Sequence, residues 1–156
     1  MKALFVCTGN TCRSVMAQYL FLDEARLRGL SDWEAKSAGL AAERYFEVPS
    51  GVHKALAARG VSPAGHIPQL ATRELNRWAD AVYPMTKAHR DALWDELPEF
   101  RAKTVLFLEA CGLGAFDVPD PIGQPDAVYL KCRDTIEQGI VALVKKHAPS
   151  TADPRP

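Results

Sequence analysis

The sequence has no excess of charge of either sign, because 19 lysine and arginine residues balance 19 aspartate and glutamate residues. Nucleic acids and anionic membrane surfaces favour a basic face, so we expect neither as a partner of this chain. No hydrophobic run approaches the length of a membrane span. Only the short apolar run 3–6 precedes the first polar segment, and it is shorter than the apolar region of a signal peptide. These absences predict a cytoplasmic protein.

Cysteine is scarce, and the spacing of its four residues does not resemble a zinc framework. The four are Cys7, Cys12, Cys111 and Cys132. Without a secretory signal, we expect free thiols in a reducing compartment and no bound metal. The chain also lacks any Gly-Lys-Ser or Gly-Lys-Thr sequence, which excludes a P-loop nucleotide hydrolase.

Short apolar runs alternate along the chain with segments of helical periodicity. The predicted strands cover residues 2–6, 33–38, 79–83 and 104–108. The predicted helices cover residues 14–28, 50–59 and 72–78, with another after Thr86 and a last one from about Asp126 to His147. Ser50, Thr72 and Thr86 are the expected N-terminal caps of three of these helices. Such alternation is typical of an α/β fold with a parallel sheet. We expect one three-layer domain over residues 1–148, with a four-stranded parallel sheet and helices on both faces, and a flexible tail over residues 149–156.

The most informative segment is the octapeptide CTGNTCRS at residues 7–14, directly after the first predicted strand. Cys7 and Arg13 bracket a short polar loop, and a predicted helix follows. In such a loop, backbone N–H groups and the helix N-terminus attract an anion, and the Arg13 guanidinium can bind two oxygen atoms. The same positive surroundings favour the thiolate form of cysteine. The segment therefore predicts a phosphate-binding loop after strand one, with a sulfur nucleophile.

A plainer interpretation of Cys7 exists, because cysteine is often a small buried apolar residue and this one closes an apolar strand. The arginine, the following Ser14 and the strand–loop–helix context favour the phosphate site. The carboxyl end of a parallel strand is also where ligands bind in such sheets.

The chain resembles the low-molecular-weight protein tyrosine phosphatase family over nearly all of residues 1–147. The resemblance rests on CTGNTCRS at 7–14 followed by MA at 16–17, SAG at 37–39, DVPDP at 117–121, and VY at 128–129 with Cys132. The combination of the N-terminal loop with an Asp-Pro pair more than a hundred residues later is highly specific.

The resemblance implies a protein phosphatase in which Cys7 attacks phosphorus and forms a thiophosphate intermediate. Arg13 and the loop amides would hold the phosphoryl oxygens, and Asp120 would be the general acid. The substrate would be a phosphorylated protein and the product inorganic phosphate, with no cofactor or metal. Asp-Pro is also a common turn dipeptide, and Asp117 is a rival acid; the family pattern favours Asp120.

The resemblance also implies roles for the remaining loop residues and for two residues outside the loop. Thr8, Gly9, Asn10, Thr11, Cys12 and Ser14 would form the substrate-binding loop. Within it, Ser14 would hydrogen-bond the sulfur of Cys7, and Asn10 would brace the loop. Ser37 and His66 would support the loop from behind, although a lone histidine is weak evidence for a role.

The chain departs from the family pattern at three places, and two of them bear on the substrate. Val15 replaces the usual proline after Arg-Ser, which costs only preorganisation of the helix start. Ile122-Gly123 stands where aromatic residues usually follow Asp-Pro and flank a phosphotyrosine ring. Thr11 resembles the protein-arginine phosphatase branch, which nevertheless tends to keep an aromatic residue after Asp-Pro. The sequence therefore leaves phosphotyrosine and phosphoarginine both open.

Two other functions use a similar loop. An arsenate reductase needs two further cysteines close together, but Cys111 and Cys132 are 21 residues apart and residues 70–90 contain none. A non-catalytic phosphate-binding regulator would not need Cys7 or Asp120. Because Cys7 and Cys12 lie on one tight loop, we also expect a reversible disulfide between them under peroxide, with packing of Cys12 as the alternative.

Overall fold

The N-terminal strand forms the centre of a three-stranded parallel sheet in the computed structural model, which describes residues 1–150. Strand β1 (Lys2–Cys7) lies between β2 (Glu34–Gly39) and β3 (Ala81–Pro84). The register places Cys7 beside Gly39. Because the strands are parallel, their carboxyl ends meet at one edge, and the loop after β1 leaves from the middle of that edge.

Six α-helices and one 3₁₀ helix are found in residues 1–150. They are α1 (Arg13–Leu27), α2 (Ser50–Ala57), α3 (Arg73–Trp78), α4 (Lys87–Glu96), the 3₁₀ helix Pro98–Lys103, α5 (Phe107–Ala110) and α6 (Asp126–His147). The hydroxyls of Thr72 and Thr86 cap α3 and α4 by accepting backbone N–H groups, as predicted. Gly29, with φ of 71°, follows the end of α1 in the left-handed conformation that suits glycine.

Alternate residues of β1 belong to two apolar cores, one on each face of the sheet. Ala3 and Phe5 join the larger core, whereas Leu4 and Val6 join the smaller one. The larger core includes Phe21 of α1, Leu56 of α2, Phe107 of α5 and Ile140 of α6, and the smaller includes Leu93 of α4 and Leu75 of α3. The predicted parallel α/β architecture is confirmed.

The predicted fourth strand at residues 104–108 is wrong. Thr104 makes only an isolated bridge with Val82, and the carbonyl oxygen of Thr104 accepts a hydrogen bond from the Trp94 indole at 3.1 Å. The chain then turns into α5, which buries Phe107. A short apolar run fits a buried strand and a buried helix equally well, and here the bond to Trp94 and the start of α5 stop the ladder.

Within residues 1–150, no helix combines the length and hydropathy needed to cross a membrane. Of the tail that the sequence predicts to be flexible, residues 149–156, the last six lie outside the described residues.

Candidate active site

The loop that follows β1 is held close to the neighbouring strand β2. Asn10 adopts φ of 56°, a left-handed conformation that asparagine tolerates better than most residues. A Cβ atom on Gly39 would overlap the carbonyl oxygen of Thr8 and lie 2.9 Å from the backbone nitrogen of Asn10. Glycine at the end of β2 therefore lets the loop pass.

A buried hydrogen-bond network links the loop to the sulfur of Cys7. Nδ2 of Asn10 donates to Oγ of Ser14 and Oγ of Ser37, each at 2.9 Å. Oγ of Ser14 lies 2.9 Å from Sγ of Cys7. Because the Ser14 oxygen already accepts from Asn10, the Ser14 hydroxyl hydrogen is free to donate to the sulfur. This bond orients Sγ of Cys7 within the loop.

His66 also contacts the loop. Its Nε2 lies 3.0 Å from the carbonyl oxygen of Asn10, and because a carbonyl only accepts, Nε2 carries the proton. Burial lowers the pKa of His66 below its ordinary value, although the bond to Asn10 opposes that effect. Oδ1 of Asn10 also accepts the backbone N–H of Gln69 at 3.1 Å. Hydrogen bonds of Asn10 therefore fix the turn of the loop to α1, to β2 and to residues 66–69.

Arg13 joins the loop to the segment that carries the two candidate acids. Its Nη1 donates to the carbonyl oxygen of Val118 at 2.9 Å, and its Nη2 lies 3.5 Å from Oδ2 of Asp120. Arg13 is almost fully buried, whereas Asp120 is half-exposed. Asp117 points elsewhere: its Oδ1 accepts the backbone N–H of Lys87, the first residue of α4, at 2.8 Å.

A cavity of about 340 Å³ lies above the loop. It is lined by Cys7, Thr8, Gly9, Thr11, Cys12, Arg13, Phe46, Glu47, Asp120 and Ile122. The structure thus brings the three proposed catalytic residues together at one surface. Four residues singled out from the sequence, Asn10, Ser14, Ser37 and His66, lie outside this lining and hold the loop from behind.

Cys7 and Cys12 are both free and buried, and both line the cavity. Burial raises the pKa of Cys12 to about 11, with smaller effects from its neighbours, so this thiol stays protonated near neutral pH. Cys111 and Cys132 do not line the cavity. Among the described residues, no group of three or more histidine, cysteine, aspartate or glutamate side chains could hold a metal ion.

Two residues that line the cavity were not among the site residues predicted from the sequence. Phe46 and Glu47 come from the loop between β2 and α2, where the Phe46 ring would lie 3.8 Å from a Cβ placed on Gly9. From the sequence, Tyr45 and Phe46 could be core anchors or could line a substrate cleft, and the sequence gave no signal for Glu47. Oγ1 of Thr8 also lies 2.8 Å from Nε2 of His89. From the sequence, an ordinary surface or core position was favoured for His89 over a supporting role.

Residues 2–150 match the family described as low molecular weight phosphotyrosine protein phosphatase. A protein-arginine-phosphatase from Geobacillus stearothermophilus is 37% identical over 145 residues, which are 93% of this chain and 95% of the relative.

Solved structures show the same similarity. A YwlE arginine phosphatase mutant, in which serine replaces the active-site cysteine and is phosphorylated, is 32% identical with a TM-score of 0.89 over 94% of this chain and 95% of that one. A low molecular weight protein tyrosine phosphatase from T. tengcongensis is 37% identical with a TM-score of 0.88 over 94% and 99% of the two chains.

Proposed function

The chain belongs to the low molecular weight phosphotyrosine protein phosphatase family and is a cysteine-dependent protein phosphatase, and we propose that it acts on phosphoarginine in proteins. We assign the chemical steps to Cys7, Arg13 and Asp120. The side chains that line the cavity favour phosphoarginine over phosphotyrosine.

In the first step, the Cys7 thiolate attacks phosphorus and forms an S–P bond as the P–N bond to the arginine side chain breaks. Asp120 donates its proton to the leaving nitrogen. Arg13, the loop amides and the α1 N-terminus stabilise the charge on the equatorial oxygens. The bond from Ser14 to Sγ supports this step, because it holds the sulfur in place within the loop.

In the second step, water attacks phosphorus, Asp120 accepts a proton from that water, and the S–P bond breaks to release inorganic phosphate. The Cys7 thiolate returns to its starting form. Asp120 suits both steps, because it lines the cavity, is half-exposed, and lies 3.5 Å from the guanidinium that would hold the oxygens. Asp117 lacks this position, because it is bound to the start of α4.

The observation that carries the substrate assignment is the presence of Thr11 and Glu47 among the residues that line the cavity. Their side chains carry a hydroxyl and a carboxylate, which can both accept hydrogen bonds. A phosphorylated guanidinium is planar, and its unphosphorylated nitrogens are cationic hydrogen-bond donors, so it needs acceptors and negative charge beside it. Ile122 takes the position where an aromatic ring would flank phosphotyrosine, which removes one apolar face of that clamp.

Phosphotyrosine remains the second candidate substrate on one specific observation. The Phe46 ring lines the cavity and offers an aromatic wall to a phenyl group. A solved structure that carries the tyrosine phosphatase name shares the fold over 94% of this chain. Phe46 supplies only one aromatic wall, because Ile122, which also lines the cavity, is aliphatic.

The test compares kcat/KM on two peptides of identical sequence that carry phosphoarginine or phosphotyrosine at one position. We expect the phosphoarginine peptide to be hydrolysed with the higher kcat/KM. The same peptide incubated without the protein is the control for non-enzymatic loss of the labile P–N bond, and its rate is subtracted. A higher kcat/KM on the phosphotyrosine peptide would reject the phosphoarginine assignment while leaving the phosphatase chemistry in place.

A further inference from the structure

Thr8 and His89 form a hydrogen bond at the cavity wall that the steps above do not use. Nε2 of His89 lies 2.8 Å from Oγ1 of Thr8, and Thr8 lines the cavity. His89 is only 6% exposed and lies in the first turn of α4, where its backbone N–H donates to the capping hydroxyl of Thr86. The imidazole is therefore held by α4, and Thr8 is the member of the pair that faces the cavity.

The proton on His89 can be assigned from the contacts of its two ring nitrogens. Burial lowers the pKa of His89 to about 4, with a smaller contribution from Arg13, so the ring is neutral near pH 7 and carries one N–H. Nδ1 is buried and has no hydrogen-bond partner in the part of the chain that the structure describes. Orphaned buried N–H groups are rarer than acceptors with an unused lone pair. The network therefore assigns the proton to Nε2, which donates to Oγ1 of Thr8.

This direction of the bond determines what Thr8 can do. A hydroxyl that accepts a hydrogen bond from His89 still has its own hydrogen to donate. The exposed side of Thr8 is the cavity, where the proposed phosphoryl group would supply charged oxygen acceptors. If the proton were on Nδ1 instead, Nε2 would take the Thr8 hydroxyl hydrogen, and Thr8 could not donate to the substrate.

We propose that His89 is a positioning residue that holds the Thr8 hydroxyl as a hydrogen-bond donor to the bound phosphoryl group. The inference rests on the proposed phosphate site and adds a side-chain donor to the backbone amides and Arg13. It holds for either substrate, because both present the same phosphoryl oxygens.

The test measures the affinity for inorganic phosphate by competitive inhibition and by calorimetry. Thr8→Val keeps the shape of the side chain and removes the hydroxyl, and we expect affinity to fall about tenfold, as for loss of a bond to a charged group. Thr8→Ser should retain wild-type affinity. His89→Leu should weaken binding as Thr8→Val does, and the double variant should bind no more weakly than Thr8→Val alone. Thr135→Val, on α6 outside the cavity lining, is the matched control.

Two further measurements keep the proposal testable if His89→Leu folds poorly. His89→Gln places an amide N–H near Oγ1 of Thr8 and should restore phosphate affinity. Nitrogen-15 NMR of the wild-type protein should show a protonated Nε2 and an unprotonated Nδ1 on His89. A proton on Nδ1, or an unchanged phosphate affinity in folded Thr8→Val, would overturn the inference. A wild-type protein that does not bind phosphate would instead reject the proposed phosphate site itself.

Discussion

Asp117 and Asp120 are three residues apart, yet their side chains have different tasks in the structure. Asp117 accepts the N–H of Lys87 and so fixes the start of α4, whereas Asp120 lies beside Arg13 at the cavity. The sequence favoured Asp120 only through the family pattern, because the residue types alone do not distinguish two aspartates in the same proline-containing loop. The direction of each side chain depends on the tertiary contacts of residues 117–121, which sequence reasoning did not predict.

Replacement of each acid should separate these tasks. Asp120→Asn removes the proton donor, so we expect kcat on phenyl phosphate to fall by about 10²–10⁴. On para-nitrophenyl phosphate, whose leaving group needs little protonation, the loss should be much smaller. Asp117→Ala should leave both rates close to wild type and lower stability by about 1 kcal/mol, as for loss of a helix cap. Steady-state kinetics and thermal melts measure both; equal rate losses on the two substrates would remove Asp120 as the acid.

Thr11 should influence which substrate the cavity favours. Thr11→Ile replaces a hydroxyl with an apolar wall, which suits a phenyl ring better than a guanidinium. We expect the ratio of phosphotyrosine to phosphoarginine kcat/KM to rise about tenfold, which corresponds to roughly 1.4 kcal/mol of differential transition-state binding. The matched peptides above provide the measurement. If the ratio stays constant or falls, Thr11 does not select the substrate.

Glu47 should act through charge alone, because it is exposed at the cavity. Glu47→Gln keeps the size of the side chain, and we expect kcat/KM on the phosphoarginine peptide to fall about threefold, as for loss of an exposed ion pair. The phosphotyrosine peptide should be hydrolysed as by wild type. Glu43→Gln, outside the cavity lining, is the control. Equal effects on the two peptides would show that Glu47 does not recognise the guanidinium.

At the scale of elements, the site depends on how closely the loop after β1 approaches β2. Gly39→Ala would place a methyl group against backbone atoms of Thr8 and Asn10, which cannot move aside as a side chain can. We expect a loss of about 1–3 kcal/mol in the free energy of unfolding and weaker phosphate binding, measured by denaturant titration and calorimetry. Gly9→Ala is the matched control for stability, because the nearest atom would lie 3.7 Å away. Equal stability of the two variants would show that this approach is not tight.

The elements also show where sequence patterns suffice. The end of α1 near Gly29 and the threonine caps of α3 and α4 could be predicted, because each depends on residues close together in the sequence. Ser50 was expected to cap α2, yet Pro49 occupies that position and Ser50 is the first helical residue. Residues 104–108 depend instead on a partner from another part of the chain, since the Trp94 indole takes the carbonyl oxygen of Thr104. Apolar composition alone could not reveal that contact.

At the scale of the whole molecule, the sequence predicted the floor of the site better than its walls. Cys7 and Arg13 are fixed by one strand–loop–helix unit, so their juxtaposition follows from local structure. Phe46, Glu47 and Asp120 reach the same cavity from two distant loops, and no periodicity determines how such loops pass over the sheet edge. The choice between phosphoarginine and phosphotyrosine depends mainly on these walls, which explains why the sequence left it open.

The most direct test of the account is to identify the covalent intermediate. Wild-type protein in stoichiometric excess is mixed with a peptide carrying ³²P-labelled phosphoarginine and quenched in denaturant within milliseconds. Mass spectrometry then locates the label. The account predicts a transient phosphoryl group on the sulfur of Cys7 that forms before inorganic phosphate is released. Release of inorganic phosphate from the phosphoarginine peptide with no label on Cys7 at any time would contradict it.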